Sequence, residues 1–170
     1  AFDAAKSYRP NKADWLEGRW SGLRAATDCD DAPVTSVALD TLRHVGTALA
    51  TVPKNFAINP KIARQLEAKA EMFESGQGID WATGEALAFG TLLIEGHRVR
   101  LSGEDVQRGT FSHRHAVLID QSNQNEYVPL NNITGDQARI EVYNSLLSEF
   151  GVLGFEYGYS LADPQSLVLW

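Results

Sequence analysis

RIEVYNSLLSEFGVLGFEYGYSLADPQSLVLW, residues 139–170, decides the fold. Arg139 to Tyr143 alternates, with Ile140 and Val142 on one face, as a strand does. Ser148 to about Leu161 has helical character, and Gly151, Gly154 and Gly158 sit three and four apart within it. Glycine costs helix stability, so this stripe predicts a backbone packed closely on a neighbour. Ser166 to Trp170 reads as a second, buried strand. Strand, helix, strand is the pattern of a crossover between parallel strands.

The same logic extends upstream. Arg98 to Leu101 predicts a short strand, Ser102–Thr110 a polar loop, His115 to Asp120 another strand, and Ser122 to Glu126 a turn. Three helices precede these. Ser36 to Leu49 carries Val37, Leu42, Val45 and Leu49 near helical period. Asn59-Pro60 starts a second helix, running to about Phe73, with a capping side chain and then proline at the first helical position. Asp80 caps a third, which carries Trp81, Leu87, Phe89 and Leu93 and stops near Gly96. The expected fold is α/β: an open, mostly parallel sheet with flanking helices, truncated at its C-terminal side. Two units are expected, residues 1–78 as an irregular segment and helical connector and residues 79–170 as an incomplete α/β domain. In such sheets ligands bind beyond the carboxyl ends of the strands, which points to the loops Ser102–Thr110 and Asn144–Glu149. The chain stops on a strand that a following helix should cover, so it reads as a fragment with an exposed edge prone to association.

Composition bounds the function. The 170 residues are 44% hydrophobic and 22% charged, with net charge −7. An acidic chain argues against non-specific nucleic-acid binding, and no apolar run reaches membrane-span length. One cysteine, Cys29, allows no internal disulfide and suggests a reducing compartment. The first 35 residues hold Pro10, Pro33, Gly18, Gly22 and the acidic patch Asp28, Asp30 and Asp31. Trp15 and Trp20 interrupt that polarity and read as anchors onto a larger body.

Candidate chemistry lies in two stretches. RLSGEDVQRGTFSHRHAVL (100–118) packs Glu104, Asp105, Arg108, His113, Arg114 and His115 between apolar flanks. NSLLSEFGVLGFEYGY (144–159) brings Glu149 into a helix straight after a strand. A glutamate there is favoured by the helix dipole alone. His113 and His115 would share a face if extended. They lack the further spaced ligands of a metal site, because Cys29, His44 and His97 stand at no ligand spacing. Glu104 and Asp105 could form a catalytic carboxylate pair, but more often such a pair caps a turn or pairs with arginine, here Arg108 or Arg114. Glu85 is expected on an exposed helix face. No Gly-rich phosphate loop is present.

These stretches carry a resemblance. YRPNKADWLEGRW (8–20), IDWATGEALAFGTLL (79–93), RLSGEDVQRGTFSHRH (100–115), SLLSEFGVLGFEYGYS (145–160) and DPQSLVLW (163–170) resemble, in order, the decarboxylating first component of 2-oxoglutarate dehydrogenase. They match its transketolase-like domain that holds the pyrimidine ring of thiamine diphosphate. The resemblance implies thiamine-dependent oxidative decarboxylation of 2-oxoglutarate, with succinyl transfer to a lipoyl domain, in the tricarboxylic acid cycle. It implies that Glu149 hydrogen-bonds the aminopyrimidine and favours its imino tautomer, that His113 (the better match) and His115 lie near the substrate's reacting end, and that Leu147 supports the bent cofactor. The family's Gly-Asp-Gly diphosphate and Mg2+ motif is not matched; Gly135-Asp136-Gln137 is the nearest text. Those ligands are therefore expected outside this chain, as is the aromatic residue that stacks on the pyrimidine, and the chain alone is expected to be inactive. The implied partners are a second copy in a homodimer and the dihydrolipoyl succinyltransferase component. The implied compartment is bacterial cytoplasm or mitochondrial matrix. The same chemistry on 2-oxoadipate, or a non-catalytic docking module, remains open from the residues.

Overall fold

A computed structural model describes residues 3, 6–9, 11, 18–23 and 34–170. Trp15, Cys29, Pro10, Pro33 and the patch Asp28, Asp30 and Asp31 lie outside the described residues. Three helices open the folded body: α1 (Leu39–Ala50), α2 (Pro60–Ser75) and α3 (Trp81–Ile94). The strands are β1 (Val99–Gly103), β2 (Leu118–Ile119), β3 (Glu126–Tyr127), β4 (Ile140–Asn144) and β5 (Leu167–Leu169), with helix α4 (Glu149–Ala162) between the last two.

Local chemistry sets these bounds. Asn59 accepts the Lys61 N–H at 2.9 Å with Pro60 behind it, and Gly76 closes α2 in the left-handed region at φ 66°. The Asp80 carboxylate accepts the Thr83 N–H at 2.7 Å. That bond, ahead of the nearby charges of Lys69 and His113, holds its carboxyl below the usual range. Ser148 caps α4 through the Gly151 N–H at 3.4 Å. α1 begins at Leu39 rather than Ser36, and Ala38 makes no side-chain cap.

The main sheet is β4-β1-β5, parallel throughout, with Val99 opposite both Ile140 and Leu167. β2 and β3 form a separate antiparallel hairpin. Buried Asp120 pins that hairpin to the α1–α2 connector by accepting the Ala57 N–H at 3.2 Å. Successive residues of β1 point to opposite faces. Val99 and Leu101 join Ile140 and Val142 in one apolar cluster with Val45 and Leu49 of α1, Phe73 of α2 and Leu87, Phe89 and Leu93 of α3. Arg100 and Ser102 face α4. The result is three layers, helices on both faces of a parallel sheet.

The strand predicted over His115–Asp120 is only Leu118–Ile119, because His115 adopts φ +46°, which no strand tolerates. Among the described residues nothing packs on the glycine stripe of α4: a Cβ on Gly154 or Gly158 would meet nothing within 4 Å, and on Gly151 its own Leu147 and Ser148. β5 is not a buried strand. Within this chain it pairs with β1 alone, and Leu167 is 37% exposed, at the exposed edge expected of an incomplete sheet. Trp20 does anchor, its indole N–H donating to the Leu161 carbonyl at 2.7 Å beside an Arg19–Asp163 ion pair at 2.7 Å.

Glycines do allow close packing elsewhere. A Cβ on Gly90 would lie 2.3 Å from a methyl of fully buried Val45, whereas Gly84 on the same helix faces open space. Gly90→Ala is expected to cost about 1–3 kcal/mol by overpacking, and Gly84→Ala to stabilise by up to about 1 kcal/mol through helix propensity. Denaturant unfolding of the two variants checks this; equal effects would contradict the packing described.

Candidate active site

Because β4, β1 and β5 are parallel, their carboxyl ends meet along one edge. A cleft of about 620 Å3 opens there. Its floor is Ser102, Gly103 and Trp170; its walls are Glu104 and Val106 after β1, and Ser145 to Glu149 with Val152 after β4. The two loops are tied together. Ser145 N–H donates to the Gly103 carbonyl at 2.8 Å. The Asn144 side chain accepts the Gln107 N–H at 3.0 Å, and the Gln107 side chain donates to the Val142 carbonyl at 3.1 Å. Gly103 is at φ +151°, where a side chain is strained, and a Cβ would crowd Val106 at 3.1 Å.

Glu149 stands at the first turn of α4 and lines this cleft, exposed. Leu147 lines it too and is 59% exposed, so it is not a core leucine of this chain. Glu104 is on the opposite wall. Asp105 pairs with Arg108, its carboxylate accepting the Arg108 Nε–H at 3.0 Å, and its carboxyl is held below the usual range by those bonds.

The histidines lie elsewhere. Neither is among the residues of the cleft. They do not form an extended pair on one face, because residues 104–117 turn repeatedly, with Asp105, Ser112 and His115 all at positive φ. His113 is exposed, and its ring covers Gly109 so closely that a Cβ there would lie 2.6 Å from it. His115 is half-buried, with Nε2 3.0 Å from the Ser112 carbonyl and 2.9 Å from its hydroxyl. A carbonyl only accepts, so these partners assign the proton to Nε2 and leave Nδ1 as an acceptor. His115 borders a narrow apolar crevice with Lys69, Glu85 and Arg114. Burial pushes the Lys69 ammonium below its ordinary value, against the opposing pull of Asp80. Glu85 is not simply on an exposed face. It is half-buried and takes a two-pronged ion pair from Arg114 at 2.7 and 3.3 Å, because the loop folds back over α3. Among the described residues no three His, Cys, Asp or Glu side chains come together as a metal site.

Sequence reasoning missed Glu156. This carboxylate on α4 is 4% exposed and is bound by Arg100 and Ser102. The one available signal was a lone carboxylate among Phe155, Tyr157 and Tyr159, seven residues after Glu149 and therefore on the same helix face.

Residues 77–170 match the family described as the transketolase pyrimidine-binding domain. The chain belongs to that family. Over 99% of its length it is 57% identical to proteins named 2-oxoglutarate dehydrogenase E1 component from Brucella ovis and Brucella canis. It spans 17% of the length of these relatives. In this pyrimidine-binding domain the cleft occupies the ligand position usual for an open α/β sheet.

Burial lowers the His115 pKa from its usual 6.5, outweighing the Ser112 carbonyl bond that raises it. The unfolded chain therefore binds more protons than the folded one below about pH 6.5, and stability falls as pH drops through that value. The melting temperature of the wild type is expected to fall more between about pH 7.5 and about pH 5.5 than that of His115→Gln. Parallel melting curves check this, and equal falls would remove His115 from the acid limb.

Proposed function

We propose that this chain is part of the E1 component of a 2-oxoglutarate dehydrogenase and supplies the pyrimidine side of its thiamine diphosphate site. The carrying observation is the cleft at the carboxyl ends of the parallel strands, with Glu149 at the start of α4 on its wall. Its lining fits an aminopyrimidine. Leu147, Val106, Val152 and Trp170 offer apolar surface, Glu149 offers a carboxyl group, and Gly103 leaves the floor open. The name shared by the relatives favours 2-oxoglutarate over 2-oxoadipate as substrate.

When bound, thiamine diphosphate supplies the electron sink for decarboxylation of a 2-oxo acid. The residues here hold and tune it. The Glu149 carboxyl would share a proton with a ring nitrogen, as a general acid–base group. Leu147, on the same wall, would support the ligand's bent shape. His113, exposed on a fixed loop, is the better candidate for the reacting end of the substrate; His115, bonded to Ser112, would hold that loop and its neighbour. The diphosphate and its Mg2+ would be held by residues outside this chain. We place the functional boundary near residue 78, with residues 1–78 as connector and 79–170 as the incomplete cofactor-binding unit.

α4 supports an assembly larger than one chain. Phe150 is 93% exposed, and Leu146, Leu153, Phe155, Tyr157 and Leu161 are also exposed around it. Apolar surface of this extent marks an interaction face. A homodimer would cover it and would exclude water from Glu149. The dihydrolipoyl succinyltransferase component would accept the succinyl group. Among the described residues no helix is long and apolar enough to cross a membrane, and the bacterial relatives support a cytoplasmic enzyme.

In the full-length protein, reduction of an artificial electron acceptor with 2-oxoglutarate is expected to require thiamine diphosphate and magnesium. Glu149→Gln is expected to lower that turnover about 100-fold or more, the range for losing a positioned acid–base group. Unchanged turnover in Glu149→Gln would sink the assignment. Turnover with another 2-oxo acid alone would keep the mechanism and change the substrate.

A further inference from the structure

Helix α4 meets β1 through a buried carboxylate. Its two buried side chains are Val152 and Glu156, which with Glu149 form one stripe spaced three and four apart. Glu156 Oε2 accepts Arg100 Nε–H at 2.8 Å, and Oε1 accepts Arg100 Nη2 at 3.0 Å and the Ser102 hydroxyl at 2.7 Å. All three donors belong to β1. Arg100 Nη1 donates to Glu141 of β4 at 3.0 Å. The guanidinium also lies 4.6 Å from the Tyr159 ring centre and 4.7 Å from that of Tyr143. Ser102 is itself part of the cleft floor.

A planar guanidinium fork accepts a carboxylate in one orientation. An apolar contact in the same place would let the helix roll or slide by a fraction of a turn. Apolar replacements of buried ion pairs are often neutral or better for stability, so stability does not account for the choice of residues. Orientation does. We propose that Glu156 and Arg100 are positioning residues, which fix the roll and axial setting of α4 on β1 and thereby present Glu149, two turns earlier on the same stripe, to the cleft over Ser102 and Gly103. This rests on the reading of Glu149 as the group that meets the aminopyrimidine.

The test uses the full-length enzyme. In Arg100→Met/Glu156→Leu the melting temperature is expected to stay within a few degrees of wild type, while the dissociation constant for thiamine diphosphate, read by titration calorimetry in the presence of magnesium, rises about tenfold or more. Turnover should fall by up to about 100-fold, the scale for a displacement of about 1 Å. Amide exchange in residues 145–152 should quicken in the cofactor-free enzyme, which a loss of active fraction alone does not produce. Glu156→Gln keeps the side-chain volume, is expected to give a smaller shift in the same direction, and is read by the same quantities if the double variant does not fold. A folded variant whose cofactor affinity and 145–152 exchange stay within about twofold of wild type overturns the proposal. Glu149→Gln, run beside it, separates the two readings: loss there with no effect at Arg100 and Glu156 overturns only the positioning role, whereas no effect there removes the cofactor assignment on which it rests.

Discussion

Five residues of β1, Val99 to Gly103, are paired in parallel with β4 along their whole length and with β5 along most of it. The rest of the molecule follows from that constraint. Parallel neighbours require connections that cross from one end of the sheet to the other. One such connection is α4; another is the long path through the 104–117 loop, the β2–β3 hairpin and the turn at Pro129–Asn132. β4, β1 and β5 then release their chains at the same edge. Two loops with unrelated sequences meet there, and the Ser145–Gly103 and Gln107–Asn144 bonds close the gap between them. The cleft is a consequence of strand direction before it is a consequence of any side chain.

The two faces of the sheet are held by different physics. Toward α1, α2 and α3 the contacts are apolar and tight, with Val45, Leu93 and Val99 fully buried. Each such aliphatic side chain is worth about 1.5–3 kcal/mol of burial, so this face carries the stability. Toward α4 the contact is a charged fork set among tyrosines, with Val152 as its buried apolar residue. Such a contact adds little net stability but accepts few geometries. The side of the sheet that bears Glu149 is thus the side built for orientation.

The sequence makes the architecture legible where local chemistry acts alone. Asn59-Pro60 and Asp80 announce helices that form because their side chains satisfy free N–H groups at once. Ile140 and Val142 alternate as the buried face of a strand must, and the position of Glu149 after β4 places it on the cleft wall. What the sequence hides depends on long-range partners. Glu85 reads as solvent-facing until the loop returns Arg114 to it across 29 positions. Glu156 meets its partner only when the fold brings Arg100, 56 positions earlier, to it. The spacing of His113 and His115 suggests a shared face only if the backbone is extended, and nothing local announces the positive φ at Ser112 and His115. The glycines of α4 announce a close neighbour, and none is found among the described residues.

That loop explains why the histidines stand apart from Glu149 on this chain. Non-glycine residues at positive φ cost of order 1–3 kcal/mol each, and persist only where the surroundings over-determine them. Here they do. The N–H groups of Arg114 and His115 both donate to the Arg108 carbonyl, Ala116 N–H donates to Gln107, and Arg114 reaches Glu85 and the Val106 carbonyl. Gly109 lets the His113 ring lie directly on the backbone. The loop leaves the cleft at Val106, doubles back over α3 and holds two imidazoles in set positions. α3 and β1 run in opposite directions with four residues between them, 95–98, so the start of α3 lies at the edge where β1 ends. His113 sits on the loop that folds back over α3, outside the cleft that Glu149 lines. A ligand that engaged both would therefore have to reach beyond the cleft lined by Glu149.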